Sequence, residues 1–225
     1  MNNTFFVTGT DTGVGKTFVT CILMQFIKFH HKKVIGMKPI AAGVDIKNGE
    51  TSNEDVNLLK YESTLQLELG EVNTYSFDEP MAPHIAAQKH NIEIDFKKIK
   101  MHAETLKNRA DYLLIEGAGG YLVPLGESTS IADLVDELNI PIIIVIGVKL
   151  GCINHSLLTI EAILKRGQKI FGWVANILDN NMLEVNANIS SLRQRIEQPL
   201  IGTIPYSPDQ KPENLKNYIT WPNDL

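Results

Sequence analysis

Cysteine, arginine and long apolar runs are all scarce in this chain of 225 residues. Its two cysteines, Cys21 and Cys152, are too few for the disulfide framework of a small secreted protein, so we expect a reduced, cytoplasmic protein. The longest apolar run, residues 140–148, is far too short to span a bilayer, and we expect no membrane partner.

Positive charge is in deficit as well. Lysine and arginine together number 21 against 26 aspartate and glutamate residues, which leaves a formal net charge of -5. Domains that bind nucleic acid are usually basic, so we expect no nucleic-acid partner. What remains is a globular composition with 44% hydrophobic residues and a length that suits one core, and we predict a single domain over residues 1–225.

The most informative segment is the glycine-rich run at residues 9–17, Gly-Thr-Asp-Thr-Gly-Val-Gly-Lys-Thr. It follows a short apolar run and leads into an amphipathic segment. A strand, a glycine-rich turn, Gly-Lys-Thr and a helix are together typical of a P-loop that binds a nucleoside triphosphate. Backbone N–H groups would surround the phosphate oxygens, Lys16 would reach the β- and γ-phosphates, and the Thr17 hydroxyl would bind Mg²⁺.

One feature departs from the common P-loop pattern. Five residues, rather than four, separate Gly9 from Gly15, so that Thr10 takes the place of the first glycine. A chance glycine-rich turn before a helix is the alternative, but the strand, the helix and the Gly-Lys-Thr core all favour a P-loop.

Apolar runs and helical patterns alternate along the chain. The predicted strands are Thr4–Val7, Val34–Lys38, Tyr112–Ile115, Ile142–Val148, Gly172–Asn176 and Leu200–Ile204. The predicted helices are Thr17–His30, Phe96–Asn108, Ile131–Leu138, His155–Lys165 and Leu183–Ile196. Continuously apolar strands are typical of parallel strands covered on both faces, so the pattern predicts an α/β fold with a doubly wound, mainly parallel sheet and helices on both faces, as in P-loop NTPases. The polar stretch Asp45–Asp55 predicts a loop.

Ligands of such folds collect at the carboxyl ends of the strands, where further polar residues lie. Glu116 is placed to direct a metal ion, and the glycines after it, Gly119 among them, allow phosphate or substrate to approach the backbone. Lys38 ends the second strand and would neutralise a phosphoryl group or hold a carboxylate. Each residue taken alone has an ordinary structural alternative. Glu116 could be a polar strand end before a tight turn, and Lys38 could be a surface lysine at a strand end. Asp55 alone would be a helix-capping acid.

The turn at residues 149–154 links the most apolar strand to a helix. Gly151 and the helix start after it expose backbone N–H groups that suit an anion such as a carboxylate. Cys152 has no apparent partner base, so we interpret it as a small buried thiol rather than a nucleophile.

Together these segments resemble the dethiobiotin synthetase family nearly from end to end. The resemblance is carried by FVTGTDT at 6–12, VGKT at 14–17, KPIA at 38–41, EGAGG at 116–120, VKLGCINH at 148–155 and GWVAN at 172–176. The family's P-loop has the same five-residue spacing, so the departure noted above supports the resemblance.

The resemblance implies a homodimeric, ATP-dependent ligase of biotin biosynthesis that uses Mg²⁺. It closes a ureido ring on 7,8-diaminononanoate with CO₂ (or bicarbonate), giving dethiobiotin. One amine takes up CO₂ as a carbamate, and the carbamate oxygen attacks the γ-phosphate of ATP. The second amine then attacks the carbonyl of the carbamic–phosphoric anhydride and expels phosphate.

The resemblance also implies roles for individual residues. Catalysis would fall to Thr12, Lys16 and Lys38, and Mg²⁺ would be held by Thr17, Asp55 and Glu116. The nucleotide would contact Gly13, Val14, Gly15, Lys16, Thr17, Phe18, Asn176, Pro205, Tyr206 and Ser207, with Asn176 at the adenine edge. The substrate would contact Thr12, Lys38, Ala42, Gly119, Leu150, Gly151, Cys152 and Asn154. The helix start at residues 151–154 would bind its tail carboxylate across the subunit boundary.

Two positions depart from the family's pattern. Ala42 stands where the family often has serine, so a hydroxyl contact to substrate is missing or comes from a backbone N–H. Gly13 stands where some relatives carry glutamate, which should loosen the loop without removing its N–H groups.

The main alternative is a nucleotide switch, a partitioning or assembly ATPase of the related deviant P-loop class. Those proteins typically carry a second lysine near the start of the loop, where this chain has Asp11. A P-loop kinase with an arginine-rich lid is disfavoured because the four arginines, at 109, 166, 193 and 195, lie near no candidate site residue. A glutamine-dependent amidase would need a further domain.

Overall fold

The computed structural model describes residues 3–47 and 50–222. Within them the strands are β1 (Asn3–Gly9), β2 (Val34–Met37), β3 (Ile40–Ala42), β4 (Asp45–Lys47), β5 (Glu50–Ser52), β6 (Tyr75–Phe77), β7 (Tyr112–Gly120), β8 (Ile142–Val148), β9 (Ile170–Ile177) and β10 (Leu200–Ile204). The helices are α1 (Lys16–Phe29), α2 (Glu54–Glu62), α3 (Leu69–Val72), α4 (Pro83–Lys89), α5 (Phe96–Lys107), α6 (Ile131–Leu138), α7 (Cys152–Lys165) and α8 (Val185–Arg195). Two 3₁₀ turns follow, at Pro212–Asn214 and Lys216–Tyr218.

The centre of the fold is a parallel sheet of six strands in the order β10-β9-β8-β1-β7-β2. Every residue of β8, with the sequence IIIVIGV, is buried. This agrees with the preference of β-branched residues for strands and with a parallel sheet covered on both faces. Because β1 lies between β7 and β8, the glycine-rich turn after it lies at the middle of the sheet edge.

The connections run in two directions from β1. Helix α1 leads from β1 toward the β2 edge, whereas α6, α7 and α8 lead step by step toward β10. Since parallel crossovers are right-handed, α1 lies on one face of the sheet and α6–α8 lie on the other. The predicted doubly wound α/β fold is therefore confirmed, and its change of direction falls at β1, where ligands bind in such sheets.

Several helices begin at residues that satisfy their first N–H groups. The Asp95 carboxylate accepts a hydrogen bond from the Lys97 N–H at 2.8 Å at the start of α5. Ser130 and Asp133 form a capping box at the start of α6. Pro83 opens α4, where its missing N–H costs nothing.

The prediction of a loop over Asp45–Asp55 was wrong for most of the stretch. Strands β4 and β5 pair antiparallel there, and α2 begins at Glu54, while residues 48 and 49 lie outside the described residues. Asn53 explains the helix start, because its side chain accepts a hydrogen bond from the Val56 N–H at 3.2 Å. Three-residue polar strands carry no hydrophobic alternation that would reveal them in the sequence.

Other elements between β2 and α5 were also missing from the sequence prediction. Strands β3 and β6 pair in parallel beside the main sheet, and α3 and α4 are short helices around β6.

Helix α7 begins three residues before the predicted His155, directly after Gly151 with its left-handed φ of 95°. Among the described helices, none is long and apolar enough to cross a membrane.

Candidate active site

A cleft of about 680 Å³ opens at the carboxyl ends of β1, β2 and β7. It is lined by Thr12, Gly13, Gly15, Lys16, Thr17, Phe18, Lys38, Ile40, Ala42, Asn53, Asp55, Pro80, Met81, Ala82, Pro83, Glu116, Ala118, Gly119 and Val123. The residues expected at the phosphates, the metal ion and the reacting end of the substrate therefore share one cavity, since three strand ends meet at this edge.

The turn between β1 and α1 has the backbone that a phosphate-binding loop requires. Gly13 and Gly15 have left-handed φ values of 72° and 80°, and Gly15 is the N-cap of α1. A side chain at Gly15 would collide with the Asn176 amide nitrogen. The first N–H groups of α1 have no acceptor within the helix, and the residues that carry them, Lys16, Thr17 and Phe18, line the cleft at the positive end of the helix dipole.

Lys16 is the first residue of α1 and is buried. Its ammonium donates a hydrogen bond to the Asp11 backbone oxygen at 3.1 Å. Burial, and next the positive charge of Lys38, lower the pKa of Lys16 to about 8. An anionic ligand in the cleft would offset both effects, so the electrostatics at Lys16 favour an anion.

Lys38, at the carboxyl end of β2, lies between two carboxylates. Its Nζ is 2.6 Å from Glu116 Oε1 and 2.8 Å from Asp55 Oδ2. Burial alone would lower the pKa of Lys38, but the two carboxylates outweigh it and the pKa is raised. Burial likewise acts to raise the pKa of Asp55, yet Lys38 holds it below the ordinary value. Lys38 and Asp55 are therefore both charged at neutral pH.

The carboxylates and the Thr17 hydroxyl suit a hard cation. Thr17 Oγ1 donates to Glu116 Oε1 at 2.7 Å, and Glu116 Oε2 is buried without any hydrogen-bond partner within the described part of the chain. Three or more clustered His, Cys, Asp or Glu side chains, as a protein-only metal cage would need, do not occur among the described residues. Two carboxylates and a hydroxyl beside a phosphate loop fit Mg²⁺, which usually keeps waters and takes substrate phosphates as ligands.

Part of the cleft's lining was missed by the sequence analysis. It consists of Ile40, Asn53, the turn at residues 80–83, Ala118 and Val123. The turn is held in place by backbone bonds from Gly43 to Phe77 and Glu79, and Asn53 Nδ2 donates to the Gly43 oxygen at 2.8 Å. The prolines at 80 and 83 were the available signal, since they mark a turn and a helix start.

The residues expected at the nucleotide base lie along the same edge but outside the cleft. Asn176 in β9 is aligned with Ile204 of β10, so Pro205, Tyr206 and Ser207 follow beside it. The Asn176 amide donates to the Val14 backbone oxygen at 2.9 Å, which ties β9 to the P-loop. The side chains of Val14 and Asn176 are both buried.

The residues expected at the substrate's tail are separate from the cleft as well. Leu150 is 92% exposed, and the Cys152 side chain is buried, as the sequence predicted for a structural thiol. The Cys152 N–H donates to the Lys149 oxygen at 2.9 Å, so the free N–H groups of this helix start begin at Ile153 and Asn154.

Comparison with known proteins identifies close relatives. A family model described as an AAA domain matches residues 3–214. The ATP-dependent dethiobiotin synthetase BioD of Aromatoleum aromaticum is 42% identical over 218 residues, which cover 97% of this chain and 97% of that protein. The protein of the same name from Wigglesworthia glossinidia brevipalpis is 39% identical over 222 residues, with the same coverage of both chains.

Solved structures share the fold at low identity. The septum site-determining protein MinD with Mg-ADP from Pyrococcus horikoshii matches with a TM-score of 0.59 and 16% identity, covering 96% of this chain and 93% of that chain. A ParA family ATPase from Chlorobium tepidum matches with a TM-score of 0.55 and 13% identity, covering 97% and 91%. These likenesses show a P-loop fold and nothing finer.

The relatives decide between the two interpretations that the sequence left open. Identity near 40% extends along nearly the whole of both chains, whereas the partitioning and cell-division ATPases share only the fold. The resemblance seen in the sequence, and the prediction of an enzyme, are confirmed. The chain belongs to the ATP-dependent dethiobiotin synthetase family.

Proposed function

We propose that this protein is an ATP-dependent dethiobiotin synthetase, which closes the ureido ring of dethiobiotin from 7,8-diaminononanoate and CO₂ in biotin biosynthesis. One observation carries the proposal: Lys16, Lys38, Thr17 and Glu116 converge at one end of a single cleft beside the phosphate loop. The relatives' names support the choice of reaction.

The first step makes an anion that must lie beside the triphosphate. CO₂ adds to one amine of the substrate, a nitrogen–carbon bond forms, and the nitrogen loses a proton to leave a carbamate. The carbamate and the triphosphate are both anions and repel each other, so the site needs preorganised positive charge between them. Lys16 and Lys38, which line the cleft, would supply that charge. Thr12 lines the same cleft and would contact the carbamate or the diamine.

The second and third steps transfer and release phosphate. The carbamate oxygen attacks the γ-phosphorus and ADP leaves; the second amine then attacks the carbonyl carbon, and phosphate leaves as that nitrogen loses a proton. The P-loop N–H groups and Lys16 would hold the phosphates in line with the attacking oxygen. Mg²⁺, held by Thr17, Asp55 and Glu116 directly or through water, would neutralise charge on the β- and γ-phosphates.

The rest of the nucleotide and the substrate's tail would lie outside the cleft, the nucleotide base at the ends of β9 and β10 and the tail at the end of β8. The adenine would lie at Asn176 with Pro205–Ser207 around it, since Asn176 already contacts the phosphate loop. The N–H groups at the start of α7 would bind the tail carboxylate across the boundary of a homodimer. Exposed leucines support such a boundary, at 60% for Leu122, 92% for Leu150 and 57% for Leu158.

The dimer has its own test. Light scattering after size-exclusion chromatography should give twice the chain mass of 25.1 kDa. Replacing Leu150 by glutamate should shift the protein toward monomer by placing a charge on an apolar contact. A monomer of the unmodified protein at working concentration would contradict the tail site as proposed.

The reaction is tested by phosphate release from Mg·ATP with and without 7,8-diaminononanoate plus bicarbonate, with mass detection of the product. The proposal predicts release that depends on both additions and a product that carries one added carbonyl. ATP hydrolysis that ignores the diamine would contradict it and favour a nucleotide switch, which should respond to a macromolecular partner instead.

A further inference from the structure

Helix α2 carries a buried carboxylate for which the proposed reaction has no use. Its buried face is formed by Val56, Leu59 and Glu62, which follow one another at the helical spacing of three. The third position of this apolar stripe is thus a glutamate whose side chain is only 6% exposed. It also lies at the carboxyl end of its helix, where the helix dipole disfavours negative charge.

Within the described part of the chain, the side-chain hydrogen bonds to Glu62 come from helix α1. Glu62 Oε2 accepts a hydrogen bond from Gln25 Nε2 at 2.6 Å and another from the Lys28 ammonium. Cys21 also lies on α1, and its pKa is raised. Burial is the main cause of this increase, and the negative charge of Glu62 is the second. A buried carboxylate such as that of Glu62 is costly to leave without partners, because its charge would then stand unpaired inside the protein.

The two helices that Glu62 joins both begin at the active site. Helix α1 begins with Lys16 and Thr17, and α2 begins one residue before Asp55. Gly36 of β2 packs against both helices. A side-chain carbon added there would lie 3.0 Å from Leu59 of α2 and 3.0 Å from the Met24 sulfur of α1. The helices therefore pack closely in the middle and are tied together by Glu62 at the far end.

We propose that Glu62 is a positioning residue: it fixes the tilt of α2 on α1 and thereby holds the Asp55 carboxylate in register with Thr17 and Glu116. Asp55 lies seven residues before Glu62, or about 10 Å along the helix, so a small tilt at one end displaces the other. This inference rests on the proposed function, because it takes these three oxygens as the metal site.

Two substitutions separate positioning from plain stabilisation. Glu62→Gln removes the charge and keeps the shape, whereas Glu62→Leu continues the apolar stripe and leaves Lys28, whose side chain is 27% exposed, to turn toward water. Binding of Mn²⁺ in the presence of ADP, measured by electron paramagnetic resonance, should weaken about tenfold in both, the lower end of the effect of residues that orient metal ligands. ADP affinity in EDTA should stay within twofold.

A control uses a more exposed ion pair, between two helices whose residues are not among those that line the cleft. Lys100 of α5 and Glu137 of α6 pair at 3.0 Å, and Glu137→Gln should leave Mn²⁺ affinity unchanged. Glu62→Leu that retains full Mn²⁺ affinity, or that matches the control, would overturn the inference and leave Glu62 with a structural role alone.

A double-mutant cycle tests the route through Asp55. In an Asp55→Asn background, Glu62→Leu should cause little further loss of Mn²⁺ affinity, because its effect passes through the missing carboxylate. Equal losses in both backgrounds would overturn the inference. Absence of Mn²⁺ binding by the unmodified protein with ADP would overturn the metal site of the proposed function itself, and is thus distinguishable from failure of Glu62 alone.

Discussion

The two ends of helix α1 each lie against a buried carboxylate, but the two carboxylates are arranged differently. At the start of α1, Glu116 accepts hydrogen bonds from Thr17 and Lys38 and keeps a second oxygen that has no partner within the described residues. Near the other end, Glu62 faces the interface of two helices and is held by side chains of α1.

This difference in hydrogen bonding distinguishes a carboxylate that is open to a ligand from one that holds two helices together. A buried polar atom without a partner is costly, so its retention beside a cleft indicates that a ligand completes it. The Glu62 carboxylate, by contrast, already has hydrogen-bond donors on α1. Variants at the first end should therefore lose chemistry with little loss of stability, whereas Glu62→Gln at the second end should lose stability as well as metal affinity.

The largest effect is expected at the first end, from Lys16→Ala. Removing a preorganised cation from the phosphate site should lower phosphoryl transfer by at least about 100-fold, with the circular dichroism spectrum unchanged. Turnover close to that of the unmodified protein would remove Lys16 from the phosphate site and the P-loop assignment with it.

Glu116→Gln compared with Glu62→Gln tests the comparison directly. We expect Glu116→Gln to lower Mg²⁺-dependent turnover about 10- to 100-fold, a larger loss than that from Glu62→Gln. Thermal melts should rank the two in the opposite order, because Lys38 keeps Asp55 as a partner when Glu116 loses its charge. Identical ratios of activity loss to stability loss would break the distinction between the two ends.

A smaller and more selective effect is expected beyond the cleft, from Gly151→Glu. A glutamate at the start of α7 should repel the tail carboxylate and raise the KM for the diamine about tenfold while the KM for ATP stays constant. Gly151→Ala is the control, because it shares the strain of the left-handed φ of 95° without the charge. Parallel changes in both KM values would argue against a tail site there.

The smallest expected effect concerns the loop backbone itself. Gly15→Ala should destabilise the protein by about 1–3 kcal/mol, as expected for a non-glycine residue in a left-handed conformation. Its new methyl group also meets Asn176. Gly13→Ala has a similar φ but open space around it, so chemical denaturation should show a lesser loss. Equal losses would mean that contact with Asn176 does not constrain the loop.

The sequence predicted the part of the site that follows from sheet topology. Parallel strands place the segments after β1, β2 and β7 at one edge, so Lys16, Lys38 and Glu116 were expected to meet, and the cleft brings them together. The family resemblance added Asp55, which sequence pattern alone presents as a helix cap.

The remainder depends on packing that no local pattern encodes. The wall at residues 80–83 exists because β3 and β6 pair beside the main sheet, and three-residue strands carry little periodic signal. Glu62 resembles a charge on a solvated helix face until its burial against α1 is known. The contact of Asn176 with Val14 joins residues 162 positions apart, beyond the range of any helix or strand pattern.

The central claim, phosphoryl transfer from ATP to a carbamate in this cleft, is tested most directly by following one oxygen atom. Bicarbonate labelled with ¹⁸O is supplied with Mg·ATP and the diamine, and the released phosphate is analysed by mass spectrometry. The account predicts one labelled oxygen in the phosphate, because the carbamate oxygen stays on phosphorus when the second amine expels it. Unlabelled phosphate, released at the same rate without the diamine, would contradict the account and identify water as the nucleophile.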